Sequence, residues 1–366
     1  MANAYNIIVF AILIFCSLIY FFARDRSDVA TKPLPVVRHN PVMPTSPELA
    51  VGQAFIVGIG SAKLDEDTKN FLKKIRPGGI VLYEKNIVSD DQLTSLISDL
   101  QALATSTTRR KYFIMIDEEP GGASRLGLFK DIFSSGIPDW LLTDRDIQRM
   151  KKIGINVDLA PLADFPFDSD SFIASRIPVR SVEQLIYFNG GFVQRLQNDG
   201  IGATLKHFPG LGIVTHDPHR GISYSEASST LIDLSISIFK KGIDDGASFV
   251  MTGHGIYGPL DPGVPATMSK KIVGRLRDEL GFKGIIITDD LSDMPFILNK
   301  TTSIGEATLG SIEAGNTMVL FSRKKDKALE SWSYLVKKYE EDSTLRRVID
   351  SNYDHIATYK ESHSLK

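Results

Sequence analysis

The chain has 366 residues, of which 43% are hydrophobic and 23% charged, a composition typical of a folded globular protein. Its formal net charge is −2, so it lacks the basic excess of a nucleic-acid-binding protein, and we expect no nucleic-acid partner. The single cysteine excludes an intrachain disulfide and a zinc site built from several cysteines.

The N-terminus contains an uncharged apolar run, YNIIVFAILIFCSLIYFFA, from residue 5 to residue 23. As a helix it would be about 28 Å long, which is close to the thickness of a bilayer core. The flanking residues do not form a convincing basic segment or cleavage site, so we expect residues 1–23 to be a membrane anchor. A cleaved signal or a buried segment is the alternative.

A proline-rich segment follows the apolar run. Residues 24–48 contain five prolines, which disfavour both helix and sheet and predict an extended linker. The globular domain is predicted to cover residues 49–366. Arg24, Arg26 and Lys32, taken alone, favour a cytoplasmic position for this domain, but a long domain can override that bias, so the side of the membrane stays open.

Short runs rich in Ile and Val recur along the predicted domain and alternate with longer amphipathic stretches, the pattern of parallel strands joined by helices. The runs occupy residues 55–60, 79–85, 112–119, 155–161, 203–209, 248–255, 284–291 and 317–322. Eight such units in about 300 residues predict a single (β/α)8 barrel. An open doubly wound sheet is the alternative, but no Gly-x-Gly-x-x-Gly turn follows the first run.

Charged side chains are concentrated where the predicted strands end. They are Asp117, Lys206, His207, His254, Asp289 and Asp290. Active sites of such barrels lie at the carboxyl ends of the strands, and desolvated charges are costly unless they are paired. A helix cap would explain any one of these residues, whereas four strand ends together indicate a site.

The stretch KHFPGLGIVTHDPHRG, residues 206–221, contains three of the seven histidines. The spacing of His207, His216 and His219 matches no helical metal motif, and a metal site and a structural turn remain as alternatives. Asp217 and His219 lie two residues apart, so the carboxylate can accept from one ring nitrogen while the other exchanges a proton. The flanking glycines predict a mobile loop that closes over a substrate.

Asp289 lies at the end of the seventh predicted strand and could act as a nucleophile. The alternative is a structural carboxylate paired with Lys206. Asp290 faces the opposite way along the strand, so we expect it to make capping or supporting hydrogen bonds.

These residues resemble a known family, the glycoside hydrolase family 3 β-N-acetylhexosaminidases, from about Ala54 to Phe321. The motifs that carry the resemblance are RPGGIVLYEKN, IDEEPGGASRL, GINVDLAPLADF, LKHFPGLGIVTHDPHRG and ATMSKKIVGRLRDELGFKGIIITDDLSDM. The resemblance implies a (β/α)8 barrel that hydrolyses terminal β-N-acetylglucosamine linkages of peptidoglycan-derived sugars, with retention of configuration.

Residue roles follow from the matching motifs. Asp289 resembles the family's nucleophile, His219 its general acid/base and Asp217 the partner of that histidine. The resemblance implies that the sugar is bound by Asp117, Arg125, Arg176, Lys206 and His207. No metal or cofactor is implied.

The sequence departs from the family pattern at five positions. Leu211 replaces a histidine, Pro120 a glycine and Gly122 an arginine, while Pro218 replaces a serine and Thr317 an aspartate. These positions affect loop shape and the surroundings of the site, so the substrate range is in question more than the reaction.

Two further functions remain open. One is a β-N-acetylglucosaminide phosphorylase, because a histidine donor would not repel phosphate. The other is a non-catalytic, membrane-anchored glycan-binding barrel. We expect a carbohydrate substrate, a monomer, membrane attachment through the N-terminal helix, and a catalytic domain on the extracytoplasmic face.

Overall fold

The structure, a computed structural model, describes residues 40–133, 138–177, 179–292 and 303–363. Within these ranges, the chain from Val42 onward forms one compact unit. The predicted anchor at residues 1–23 and most of the predicted linker at residues 24–48 lie outside the described residues. Within the described ranges, no helix is long and apolar enough to cross a membrane.

Eight parallel strands close into a barrel, which confirms the predicted fold and rules out the open sheet. The barrel strands are β1 (Phe55–Gly58), β2 (Gly79–Leu82), β3 (Phe113–Ile116), β4 (Val157–Asp158), β5 (Gly202–Phe208), β7 (Phe249–Thr252), β9 (Ile285–Asp290) and β10 (Met318–Phe321). The first strand pairs with the last, with Ile56 opposite Leu320, so the sheet has no free edge. A separate two-stranded sheet joins β6 (Tyr224–Ser225) to β8 (Ile256–Tyr257).

Helices surround the barrel. They are α1 (Pro47–Gln53), α2 (Glu66–Ile75), α3 (Asp90–Thr108), α4 (Trp140–Ile153), α5 (Val182–Asn198), α6 (Ser229–Asp244), α7 (Lys270–Asp278), α8 (Ile304–Glu313), α9 (Lys325–Glu341) and α10 (Ser343–Ser362). The predicted domain start near Leu49 falls within α1.

Helix starts follow a simple chemical rule. Nine of these ten helices begin after a Ser or Asp whose side chain accepts from a backbone N–H of the first turn. The exception is α9, which begins after Lys324. These caps stop each strand-to-helix loop at a defined residue and therefore fix the lengths of the loops that carry the site.

Apolar side chains divide between the two faces of each barrel strand. Ile56, Val81 and Met115 belong to the inner core, while Val57, Leu82 and Ile116 pack outward against the helices. Because both faces are buried, the strands appear in the sequence as continuous apolar runs. Polar residues begin where this apolar packing ends, at the carboxyl end of the barrel.

Candidate active site

A cavity of about 230 Å³ opens at the carboxyl ends of the strands. Every sugar-binding and catalytic residue predicted above lines it except Asp217. The lining residues are Tyr83, Asp117, Glu119, Ala123, Arg125, Leu159, Arg176, Lys206, His207, His219, Met251, Asp289, Asp290, Leu320, Ser322 and Arg323. The barrel therefore brings together residues as far apart in the chain as Tyr83 and Arg323, which are 240 positions apart.

Asp289 lies at the mouth of this cavity and is 8% exposed. Its Oδ1 accepts from the backbone N–H of Asp290 at 2.7 Å, while its Oδ2 lies 3.8 Å from His219 Nε2 and 4.0 Å from His207 Nε2. Burial alone would raise the pKa of Asp289, but the positive potential of His219, His207 and His254 lowers it well below the usual value. The carboxylate is therefore ionised and has a free oxygen that faces the cavity.

His219 is held by its neighbour Asp217. The His219 Nδ1–H donates to Asp217 Oδ1 at 2.8 Å, and the His219 backbone N–H donates to the same oxygen at 3.0 Å. This hydrogen bond, followed by the charge of Asp289, raises the pKa of His219 to about 9. Asp217 thus sits behind the imidazole, outside the cavity, and leaves the protonated Nε2 directed at Asp289.

His207 is oriented by Asp164, a residue that sequence reasoning missed. Asp164 is fully buried; its Oδ2 accepts from His207 Nδ1 at 2.7 Å, and its Oδ1 accepts from the backbone N–H groups of His207 and Leu211 at 2.9 and 2.7 Å. The ring consequently turns Nε2 toward Asp289. The motif APLAD contains Asp164, but nothing in its position showed that it would face a histidine 43 residues later.

Lys206 is buried between two carboxylates, neither of which is Asp289. Its Nζ lies 2.7 Å from Asp117 Oδ1 and 2.7 Å from Glu119 Oε1, so the proposed structural pair with Asp289 is wrong. The register between β5 and β7 shifts between Lys206 and Phe208, and both Lys206 and His207 line the cavity although they are adjacent.

Glu119 connects two of the predicted sugar-binding cations and was also missed. Its side chain is 1% exposed and binds Arg176 through two hydrogen bonds of 2.6 and 3.0 Å as well as Lys206. Burial raises its pKa, but Lys206 and Arg176 outweigh burial and lower the pKa to about 2. Arg125 completes the network by pairing with Asp117 at 3.2 Å. These charges are fixed before any sugar arrives.

Asp290 plays the supporting role predicted for it. Its carboxylate accepts from the backbone N–H groups of Ser292 at 2.9 Å and Ser322 at 3.2 Å, and from both serine hydroxyls. It therefore ties the end of β9 to the end of β10. Its own backbone N–H is then positioned to hold Asp289.

The departures from the family pattern lie in different places. A Cβ at Gly122 would approach Glu119 Oε2 to 2.1 Å, so a larger residue at this position requires another Glu119 conformation. Leu211 is 2% exposed and packs into the outer core rather than the cavity. Thr317 precedes β10 at the opposite end of the barrel, where its hydroxyl accepts from Arg277 at 3.2 Å. The expectation that Thr317 affects the surroundings of the site is therefore wrong.

The third histidine of the stretch, His216, does not join His207 and His219 in the cavity. His216 is exposed, and its Nδ1 lies 3.0 Å from Thr215 Oγ1 rather than in the cavity. Among the described residues, no group of three or more His, Cys, Asp or Glu side chains is arranged to hold a metal ion. The stretch of residues 206–221 thus consists of the end of β5, which carries His207, and a loop on which His219 faces the cavity and His216 does not.

Comparisons with known proteins identify the family of the chain. The Glycosyl hydrolase family 3 N terminal domain matches residues 141–358, which is more than half of the chain. A β-hexosaminidase of Nitrosomonas eutropha is 28% identical over 312 residues, covering 80% of this chain and 86% of the relative. One of Thioalkalivibrio sulfidiphilus is 27% identical, covering 63% of this chain and 69% of the relative.

Solved structures show the same fold. A β-N-acetylhexosaminidase from Beutenbergia cavernae superimposes with a TM-score of 0.79 at 27% identity, covering 87% of this chain and 100% of that one. A family 3 β-N-acetylglucosaminidase from a Paenibacillus species gives a TM-score of 0.80 at 24% identity; it covers 88% of this chain, which spans only 63% of that protein. On the family match together with this fold, the chain belongs to glycoside hydrolase family 3.

Proposed function

We propose that the protein is a retaining β-N-acetylhexosaminidase that releases terminal β-N-acetylglucosamine from peptidoglycan-derived sugars. The observation that carries the proposal is the pairing across the cavity mouth of an ionised Asp289 with a protonated His219 Nε2 at 3.8 Å. The names of the β-hexosaminidase relatives support the substrate class.

In the first step, Asp289 Oδ2 attacks the anomeric carbon while His219 Nε2 gives its proton to the departing glycosidic oxygen. The products are a glycosyl-aspartate ester and the released aglycone alcohol. In the second step, neutral His219 takes a proton from water, whose oxygen attacks the same carbon and frees Asp289. Each of the two displacements inverts the configuration of the anomeric carbon, so the overall reaction retains it.

The sugar has to enter between these two groups. In retaining glycosidases the two catalytic carboxyl groups are about 5–5.5 Å apart, which leaves room for the anomeric carbon and its oxygen. The 3.8 Å between His219 and Asp289 is shorter, so His219 has to withdraw when the substrate binds. His219 is carried by a loop and half-exposed, whereas Asp289 is fixed on β9, and the loop is the part that moves.

The ion network below supplies the sugar contacts in this proposal. Lys206, Arg176 and Arg125 present N–H donors, and Asp117 presents an acceptor, to the ring hydroxyls and the acetamido group. Their mutual salt bridges hold them in place before binding, which lowers the entropy lost when the sugar is bound. His207 Nε2 faces the same space beside Asp289.

The test is release of nitrophenol from nitrophenyl N-acetyl-β-glucosaminide by the full chain. We expect Asp289→Ala to abolish the release of nitrophenol. His219→Ala is assayed on a disaccharide, whose poor leaving group needs the proton, and should reduce its turnover about 10²- to 10⁴-fold. His216→Ala, a histidine on the same loop outside the cavity, and Asp168→Ala on an exposed loop are the matched controls, and both should retain activity. Full activity in Asp289→Ala would refute the proposal.

The same assay separates the two other functions. Products are compared with and without phosphate; formation of a sugar 1-phosphate would identify a phosphorylase. Sugar binding without product would identify the glycan-binding barrel. Since the nucleophile, the acid/base and the sugar-binding cations lie in one cavity, we expect hydrolysis.

We also propose that residues 1–23 anchor the protein as a monomer, with the catalytic domain on the extracytoplasmic face. The uncharged apolar run at residues 5–23 supports the anchor. Alkaline carbonate extraction of membranes, followed by protease accessibility in intact cells, tests the anchor and the face. Size-exclusion chromatography with light scattering in detergent tests the oligomeric state.

A further inference from the structure

A second cavity, of about 460 Å³, lies at the amino ends of the strands, opposite the active site. It is formed where α2 and α3 end, next to the start of the compact unit and the end of α10. Its lining residues are Val42, Met43, Thr45, Leu49, Arg76, Thr107, Thr108, Arg109, Arg110, Tyr353 and Glu361. Its volume is within the range of about 300–1,000 Å³ that is usual for small-molecule sites.

Three guanidinium groups face this basal cavity against one carboxylate. Arg110 Nη2 is 3.4 Å from Glu361 Oε1, and Arg110 Nη1 donates to the Tyr353 hydroxyl at 3.2 Å. Arg76 Nη2 lies 3.2 Å from Ser46 Oγ and 3.6 Å from Glu48 Oε2, a carboxylate outside the cavity lining. The lining thus carries an excess of two positive charges.

Two of these arginines have N–H groups that are not paired within the described part of the chain. The Nε of Arg110 is buried without a hydrogen-bond partner, and the exposed Arg109 makes no ion pair with any residue in the described part of the chain. Arg76 and Arg109 lie at the C-termini of α2 and α3, where a positive charge is favourable. Helix capping therefore explains these two arginines but not Arg110. The positive potential of Arg110 also contributes to lowering the pKa of buried Lys360 nearby, after the larger effect of burial.

The other walls of the basal cavity are apolar. Val42, Leu49 and Tyr353 line it, and Met43 is 60% exposed beside the arginines. A ligand that matches both walls has an anionic group for the guanidinium forks and a hydrocarbon portion for the apolar side. Inorganic anions match only the first of these.

The position of the cavity indicates where such a ligand would come from. Val42, which lines the cavity, is the first residue of the compact unit, and 41 residues precede it in the chain. Those residues include the apolar run 5–23 that we expect to enter a membrane. In the chain, the lining of the basal cavity therefore follows the segment that we expect to contact lipid, which makes a lipid the natural source of such a ligand.

We propose that the basal cavity binds the headgroup of an anionic phospholipid, with Arg76, Arg109 and Arg110 holding the phosphate and Met43 and Val42 contacting the start of the acyl chains. Docking in this way directs the active-site mouth away from the membrane, toward soluble or wall-bound glycans. This inference is independent of the reaction proposed above.

Titration calorimetry of the full chain in non-ionic detergent tests the proposal, with the heat of mixing into detergent alone subtracted. The probes are dihexanoyl phosphatidylglycerol, dihexanoyl phosphatidylcholine and inorganic phosphate. We expect phosphatidylglycerol to bind at least about tenfold more tightly than either other probe, since only it satisfies both walls and adds net charge attraction.

The variant Arg109→Gln/Arg110→Gln should weaken phosphatidylglycerol binding at least about tenfold. If the double variant does not fold, Arg109→Gln alone, at an exposed position, tests the same contact and should also weaken phosphatidylglycerol binding. Lys151→Gln/Lys152→Gln removes the same charge from exposed positions at the end of α4 and should bind like the parent. Equal binding of the two lipids, equally tight binding of phosphate, or an unaffected arginine variant would each overturn the proposal.

Discussion

At the scale of single residues, His219 stands between two carboxylates with different tasks. Asp217 accepts from Nδ1 and fixes the ring, while Asp289 faces Nε2 from across the cavity mouth. Both favour the imidazolium, and the pKa of His219 rises to about 9. The resting site therefore contains a protonated imidazole beside an ionised carboxylate over the whole neutral range, as the proposed acid/base and nucleophile require.

This arrangement predicts the pH dependence of the reaction. Because the proposed first step requires a protonated His219, kcat/KM for a disaccharide with a poor leaving group should stay level through neutral pH and fall above an apparent pKa of about 9. In Asp217→Asn, loss of the hydrogen bond that contributes most to the high pKa should move the alkaline limb down by at least about one pH unit.

The matched control for this profile is Arg220→Gln. Arg220 is exposed, and its Nε is 4.0 Å from Asp217 Oδ2, so its removal should leave the alkaline limb in place. An alkaline limb that is the same in Asp217→Asn and in the parent would show that Asp217 does not set the pKa of His219.

At the scale of elements, the segment between β5 and β6 is anchored at both ends and carries His219, the proposed acid/base, at its tip. The Tyr257 hydroxyl donates to the Gly210 carbonyl at 2.7 Å, and the Thr215 N–H donates to the Tyr224 carbonyl at 2.8 Å. These contacts hold the two sides of the loop to the small β6–β8 sheet. The tip from Asp217 to Arg220 is left to carry His219 toward or away from Asp289.

Pro218 lies at this tip and restricts the backbone between the two members of the dyad. Since proline fixes φ, we expect it to slow the withdrawal of His219 that substrate entry and product release require. Pro218→Ser should therefore raise kcat, by about two- to tenfold if loop motion limits turnover, as measured by steady-state kinetics.

Pro262→Ser is the comparison for this experiment, because Pro262 lies in an exposed turn after β8, away from the cavity. It should leave kcat unchanged. A kcat for Pro218→Ser at or below that of the parent would show that the proline does not limit the motion of the loop.

At the scale of the whole molecule, α10 closes the amino end of the barrel. Ile356 reaches the inner core, and the Tyr359 ring packs edge-on against Phe113 and Phe249, with ring centroids 5.7 and 5.3 Å apart. Lys360 follows and is fully buried. Its Nζ donates to the Gly78 carbonyl at 2.7 Å and lies 4.7 Å from the centroid of the Phe113 ring.

Burial, and then the charge of Arg110, lowers the pKa of Lys360 to about 7 from its ordinary value of 10.5. Between these two pH values the unfolded chain binds a proton that the folded chain does not, so the free energy of unfolding rises with pH, by up to about 1.4 kcal/mol per pH unit. Lys360→Met should remove this rise.

Urea unfolding at pH 7 and pH 9 measures the effect as a difference between the two proteins, in which the contributions of all other titrating groups cancel. The parent should gain more stability than Lys360→Met on going to pH 9. Lys338→Met, which replaces a partly exposed lysine that pairs with Glu341, is the control and should follow the parent. Parallel behaviour of the parent and Lys360→Met would show that Lys360 is charged in the folded state.

The sequence by itself determined the barrel, because strands buried on both faces must be apolar throughout and nine of the ten helices described above begin after a capping Ser or Asp. It also determined that Asp117, Lys206 and Asp289 face one mouth, since parallel strands end on the same side. Roles for Asp217 and His219 came from their spacing and from the family resemblance.

Only the tertiary structure decided which charges pair. Lys206 meets Asp117 and Glu119 rather than Asp289, and Asp164 meets His207 across 43 residues. Such pairs depend on strand register and on the angle at which each side chain leaves the barrel, neither of which a local pattern contains. The sequence did not predict the cluster of basal arginines for the same reason, because α2, α3 and α10 end side by side only after the barrel has closed.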